Sequence, residues 1–115
     1  ALMQQDYPAA IASLEKILSL SKDDMDVYYN LGVAYCYSGD FNKAIEYLNK
    51  LLKLNPDDSE TRGLIGNAYY MNGQYDKAKE NFIIARDLFR RQGDTYSAEE
   101  VESLLNEISK KDKSS

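Results

Sequence analysis

Between Tyr28 and Leu52 the apolar positions fall into two stripes. Tyr28, Leu31, Gly32 and Tyr35 recur at i, i+3, i+4 and i+7, which is one face of an α-helix. Phe41, Ala44, Ile45, Leu48, Leu51 and Leu52 make a second, wider stripe with helical spacing. Ser38-Gly39-Asp40 separates them, and Gly39 suits the left-handed conformation that ends a helix. Asn55-Pro56 stops the second stripe, because the residue before a proline resists the helical conformation. Asp57, Asp58 or Ser59 is placed to cap whatever follows. The pattern predicts a helix, a tight turn and a second helix.

The pattern then repeats. Gly32 falls on Gly66, Ala34 on Ala68, Tyr35 on Tyr69 and Gly39 on Gly73, always with an offset of 34 residues. Lys43-Ala44 falls on Lys77-Ala78, and Glu46 on Glu80. In the other direction Tyr7 falls on Phe41, Ala10-Ile11 on Ala44-Ile45, and Leu14 on Leu48. A fixed period of this length predicts a solenoid whose units bury one another's faces. Glycine inside a helix costs about 1 kcal/mol relative to alanine. Gly32 and Gly66 sit on the packing stripe beside tyrosines, so their lack of a side chain is expected to let the paired helix approach closely.

The two ends depart from the period. No proline stands near position 90, so the helix that starts at Tyr75 is expected to run through Ala85, Leu88 and Phe89 to about Gln92. Gly93-Asp94 ends it, and Ser97-x-x-Glu100 has the form of a capping box. Val101, Leu104, Leu105 and Ile108 form a narrow apolar stripe, with Glu99, Glu100, Glu102 and Glu107 opposite. This predicts a polar-backed helix that closes the solenoid. At the other end only Ala1 to Gln5 precede the helix bearing Tyr7, Ile11, Leu14 and Leu18. Part of that helix's apolar face is therefore expected to be exposed, which invites self-association.

The motif aromatic-x2-Leu-Gly-x2-Tyr, followed by Ala-x3-Phe/Leu and then Pro, resembles the tetratricopeptide repeat family. Tyr28, Leu31, Gly32, Tyr35, Ala44, Leu48 and Pro56 carry it in one unit, and Ile65, Gly66, Tyr69, Ala78 and Phe82 in the next. Arg62 replaces the leading aromatic there, and Arg90 stands where the proline would be. The resemblance covers roughly residues 6 to 92. It implies an all-α, right-handed superhelical solenoid of helix–turn–helix hairpins. Residues 1–24 would hold part of a first repeat, mostly its second helix, with full repeats at 25–58 and 59–92. A capping helix would fill 93–110 and a frayed tail 111–115.

Composition narrows the function. The chain has 115 residues, 43% of them hydrophobic, with only two prolines, which fits one small domain with a continuous core. Its net charge of −5 argues against nucleic acid as the main partner, since phosphate binding wants a basic face. There is no histidine, and Cys36 is the single cysteine, so an intrachain disulfide is impossible and a transition-metal site is not expected. A free thiol favours a reducing, cytoplasmic setting. No apolar run is long enough for a membrane span. The chain does not start with methionine and begins inside a repeat, so it reads as a fragment of a longer protein.

Asp23-Asp24-x-Asp26 and Asp57-Asp58 hint at calcium, yet the glycine and distal glutamate of an EF-hand loop are missing. These acids fall at helix starts, where they cap and complement the dipole. No nucleophile–base pair and no glycine-rich phosphate loop is present. The expectation is a non-enzyme without cofactor or metal.

Surfaces remain. In the family that the chain resembles, the first helix of each unit lines a concave groove. The side chains opposite the packing stripe are Asp26, Tyr29, Asn30, Val33, Cys36 and Tyr37 in one unit. In the next they are Glu60, Gly63, Asn67, Tyr70 and Met71. Tyrosine suits recognition because it offers a large apolar area and a hydroxyl. Asp26 and Glu60 would favour a basic residue in a bound peptide or helix, and Asn30 and Asn67 its backbone. Some co-chaperones of the family hold a C-terminal carboxylate with paired Lys, Arg and Asn. The matching basic positions here carry Tyr29, Glu60 and Leu64, so an acidic tail is not the expected ligand. The expected function is docking of another protein in this groove, as a scaffold or adaptor. The alternatives are homo-oligomerisation through the N-terminal edge and service as the non-catalytic domain of a larger enzyme or secretion complex.

Overall fold

Six helices follow one another: α1 (Tyr7–Leu20), α2 (Met25–Tyr37), α3 (Phe41–Leu54), α4 (Ser59–Met71), α5 (Tyr75–Arg91) and α6 (Thr95–Ser114). The computed structural model describes the backbone of residues 6–114 and the side chains of residues 6–111. Residues 1–5, where the first repeat's leading helix would end, lie outside the described residues. The described part is all-α, as the 34-residue period predicts.

Aspartate starts five of the six helices. The carboxylates of Asp6, Asp24, Asp40, Asp58 and Asp94 accept backbone N–H bonds from Ala9, Asp26, Lys43, Thr61 and Ser97 at 3.0 to 3.3 Å. Each satisfies a donor that the helix leaves open and places negative charge at the positive end of the dipole. The last of these corrects the sequence expectation. Ser97 does not cap α6; the helix begins at Thr95, and Asp94 is the residue that caps it.

Three helices end in the same way. Gly39, Gly73 and Gly93 hold φ of +89°, +78° and +80°. The next residue donates its N–H back across the turn: Asp40 to the Tyr35 carbonyl, Gln74 to Tyr69 and Asp94 to Phe89, each at 2.9 Å. Glycine takes this backbone conformation without a Cβ clash. The α1–α2 connection has no glycine. Asp23 takes φ of 61° there, and its carboxylate accepts a bond from the Tyr28 hydroxyl at 3.0 Å.

Each helix packs on the next, and α2 also touches α4. Leu31, Leu48, Ile65 and Phe82 are fully buried between them. The close approach expected at the helical glycines is present: Leu48 lies against Gly32 and Phe82 against Gly66. The longest apolar cluster joins Ala78, Phe82, Ala85 and Phe89 of α5 to Ala98, Val101, Leu105 and Ile108 of α6. Arg86 adds an ion pair to Glu102 at 3.0 Å, and Arg90 a second at 3.4 Å.

Two details of α6 differ from expectation. Leu104 is 37% exposed instead of sharing the buried stripe. The backbone stays helical through Ser114, where a frayed tail was expected from Lys111. The chain offers no glycine or proline after Gly93, so nothing breaks the helix earlier.

Helix α1 is held differently. None of its residues is buried, and Ile17 and Leu20 are 45% and 82% exposed. Its anchor is Glu15, which accepts from the hydroxyls of Tyr35 at 2.7 Å and Tyr47 at 3.3 Å. The Tyr7 ring stacks on Tyr37 at 6.0 Å between centroids.

Candidate functional site

The first helices of successive hairpins, α2, α4 and α6, border a depression of about 430 Å³. Tyr29 of α2 forms one edge. Helix α4 supplies Glu60, Gly63, Leu64 and Asn67, spaced so that all four lie on one face. The opposite edge is Ser97, Glu100, Val101 and Leu104 of α6, again one helical face. Phe82 and Phe89 of α5 close the floor. The walls are therefore aliphatic and aromatic, with a carboxylate on each of two helices.

The local charge is negative. Burial raises the Tyr29 pKa above its usual value, and the negative charges of Glu60 and Asp58 raise it further, with a smaller push from Tyr37. Among the described residues neither Glu60 nor Glu100 meets a basic side chain.

Of the eleven residues singled out from the sequence, Tyr29, Glu60, Gly63 and Asn67 come together at this depression. Asp26 and Asn30 are exposed and Val33 is half-buried on α2 outside it. Cys36 differs most: it is 5% exposed, packed with Ala44, Ile45 and Ala68, and burial raises its thiol pKa. It belongs to the core, because α4 comes close enough to cover that side of α2. Tyr37 is 67% exposed and engaged with Tyr7, and Met71 is exposed at the end of α4. Tyr70 is half-buried: its ring meets Tyr75 at 5.5 Å, and the Lys111 ammonium lies 5.9 Å from the ring centre. Helix α6 thus covers the part of the surface that Tyr70 was expected to present.

Sequence reasoning missed the α6 edge. Helix α6, expected from the sequence as a cap, occupies the position of a further first helix. Ser97, Glu100, Val101 and Leu104 recur at i, i+3, i+4 and i+7, a stripe that was visible in the sequence.

A second depression, about 380 Å³, lies between α1 and α3 and includes Glu15, Tyr28, Tyr47 and Lys50. Its polar groups serve one another. Tyr47 donates to Glu15, Tyr28 donates to Asp23, and the Lys50 ammonium lies 5.5 Å from the centre of the Tyr47 ring. It reads as the joint that fixes α1.

Stacked helical hairpins with a concave side lined by their first helices define a helical-repeat protein. The chain belongs to the tetratricopeptide repeat family. Models of the tetratricopeptide repeat match residues 26–58 and 47–80, and a TPR repeat model matches residues 3–36. Comparison with curated proteins returned no match. Among solved structures, protein BPP2914 from Bordetella parapertussis superposes with a TM-score of 0.80 at 22% identity, over 89% of each chain. The type III secretion translocator chaperone SycD of Yersinia enterocolitica gives 0.83 at 17% identity, over 93% of this chain and 74% of that one. MamA gives 0.72 at 30% identity, over 80% of this chain and 50% of its own. Among the described residues no helix is long and apolar enough to cross a membrane.

Proposed function

We propose that this protein is an interaction module that holds a segment of another protein in the depression between α2, α4 and α6. The carrying observation is the lining itself. Leu64 and Leu104 offer apolar contact beside carboxylates and an amide that no other part of the described chain uses. Apolar walls with a few convergent polar groups are the usual make-up of a binding site. Support also comes from the solved relatives. PcrH has been seen with the chaperone binding region of PopD, and SycD with a peptide of the translocator YopD. The role assigns no catalysis to the chain, and the buried Cys36 thiol fits a reducing, cytoplasmic setting.

The test is affinity capture of native partners with the wild-type chain and with Leu64→Arg, checking by circular dichroism that both are helical. A partner held by the wild type and lost by the variant supports the role. Undiminished capture by a folded Leu64→Arg variant rejects it.

A second role is favoured by one observation. Helix α1 exposes Ile17 and Leu20 and buries nothing completely, which suits self-association at that edge. Sedimentation at several concentrations separates the two. A dimer abolished by Leu20→Lys would support assembly, and a constant monomer mass would reject it.

A further inference from the structure

Three glycines lie inside helices, and only two of them are required by packing. A Cβ on Gly32 would meet Leu48 at 2.5 Å, and one on Gly66 would meet Phe82 at 2.8 Å. A Cβ on Gly63 would meet nothing within 4 Å. Gly63 also has no positive φ to justify it. The helix therefore bears the propensity cost of glycine at position 63 without a structural return. What the missing side chain leaves is open space, and that space is part of the depression, between Glu60 and Leu64 on the same helix.

The surrounding chemistry selects the occupant. Glu60 on α4 and Glu100 on α6 border the space, and no basic residue lines it. Lys111 of α6 is engaged at Tyr70 instead. Elsewhere the same molecule seats lysines over tyrosine rings, Lys50 on Tyr47 and Lys77 on Tyr69. Tyr29 at the edge of the depression offers the same aromatic surface without a cation of its own among the described residues. A long basic side chain satisfies both halves of such a site. Its methylenes cover apolar wall, and its charged head reaches carboxylate and ring.

We propose that Gly63 opens a receptor for a basic–apolar segment of a partner protein. A Lys or Arg of that segment crosses Gly63 with its stem on Leu64 and Leu104 and its charge between Glu60 and Glu100. Gly63 is then the specificity-determining position: any side chain there occupies the place of the ligand's stem. This rests on the proposed function and adds the chemistry of the partner.

The experiment selects a phage-displayed library of random peptides on the wild-type chain, on Gly63→Leu and on the double variant Glu60→Gln/Glu100→Gln. The expected result is enrichment of peptides with Lys or Arg next to an apolar residue. The double variant should bind them at least about tenfold more weakly, and Gly63→Leu should not retain them. Gly63→Leu should melt no lower than the wild type, which separates a filled site from a lost fold. Enriched peptides without basic residues that still need Gly63 would overturn this proposal and leave the interaction role standing. Enriched peptides that bind Gly63→Leu equally well would overturn both. Failure to enrich any peptide would also overturn the proposal.

Discussion

A Cβ placed on Gly32 would lie 2.5 Å from Cδ2 of Leu48 and 2.6 Å from its Cγ. Leu48 is fully buried, and its Cγ is a branch point close to the backbone, so the clash cannot be relieved by swinging the far end of a flexible chain. This contact sets the distance between α2 and α3, and Gly66 against Phe82 does the same for α4 and α5.

Gly32→Ala is therefore expected to destabilise. Overpacking costs about 1–3 kcal/mol, and the helix-propensity gain returns about 1 kcal/mol. The net loss should be up to about 2 kcal/mol. Gly63→Ala, which meets nothing, should gain up to about 1 kcal/mol. Urea midpoints at constant slope measure both, and equal shifts for the two variants would refute the argument.

The 34-residue offset and the placement of Gly32 on Gly66 carried the fold, because both follow from local spacing and a repeated packing need. The site was only partly legible. Helical spacing identifies which side of α2 faces away from α3, but it cannot say which neighbouring helix covers that side. Cys36 and Tyr70 show the gap. They share a stripe with Tyr29 and Asn67, yet Cys36 is shut in by α3 and α4 and Tyr70 is overlaid by α6. The α6 edge depended on where the terminal helix docks, which no period in the sequence encodes.

Tyr35 should make stability fall at alkaline pH. The hydrogen bond to Glu15 raises its pKa from 10.0 to about 12, with burial and the Glu15 charge adding to the shift. The folded value lies above the unfolded one. The stabilisation is therefore present below pH 10 and is lost as pH climbs from 10 through about 12. Unfolding free energy in that window should decline less steeply for Tyr35→Phe than for the wild type. In Glu15→Gln, ultraviolet titration should show two tyrosines, Tyr35 and Tyr47, ionising earlier. Identical pH profiles for wild type and Tyr35→Phe would contradict this.

Helix α6 is held by its apolar face more than by its ion pairs. Ile108 is fully buried, and Ile108→Ala should cost about 2–5 kcal/mol. Glu102 pairs with Arg86 and Arg90 at the surface, and Glu102→Ala should cost no more than about 1 kcal/mol. Because α6 forms one edge of the depression, Ile108→Ala should also expose the α6 amides to faster hydrogen exchange. A larger loss from Glu102→Ala than from Ile108→Ala would show that the electrostatic contact dominates.

Tyr29 and Tyr37 of α2 and Tyr70 of α4 should respond differently to truncation. The Tyr37 ring stacks on Tyr7 and is mostly solvated, so Tyr37→Ala should cost less than about 1 kcal/mol. Tyr70→Ala gives up both the Tyr75 ring and the Lys111 cation, and should cost about 2 kcal/mol. Neither residue lines the depression, so neither variant should weaken a partner bound there more than about threefold once its folded fraction is taken into account. Tyr29 does line it, and Tyr29→Ala should weaken the same partner by about tenfold or more, with little effect on stability. Thermal melts and a direct affinity measurement on the three variants decide the matter. If Tyr37→Ala loses the partner while Tyr29→Ala keeps it, the binding surface runs along the α1–α2 side instead of the α2–α4–α6 depression.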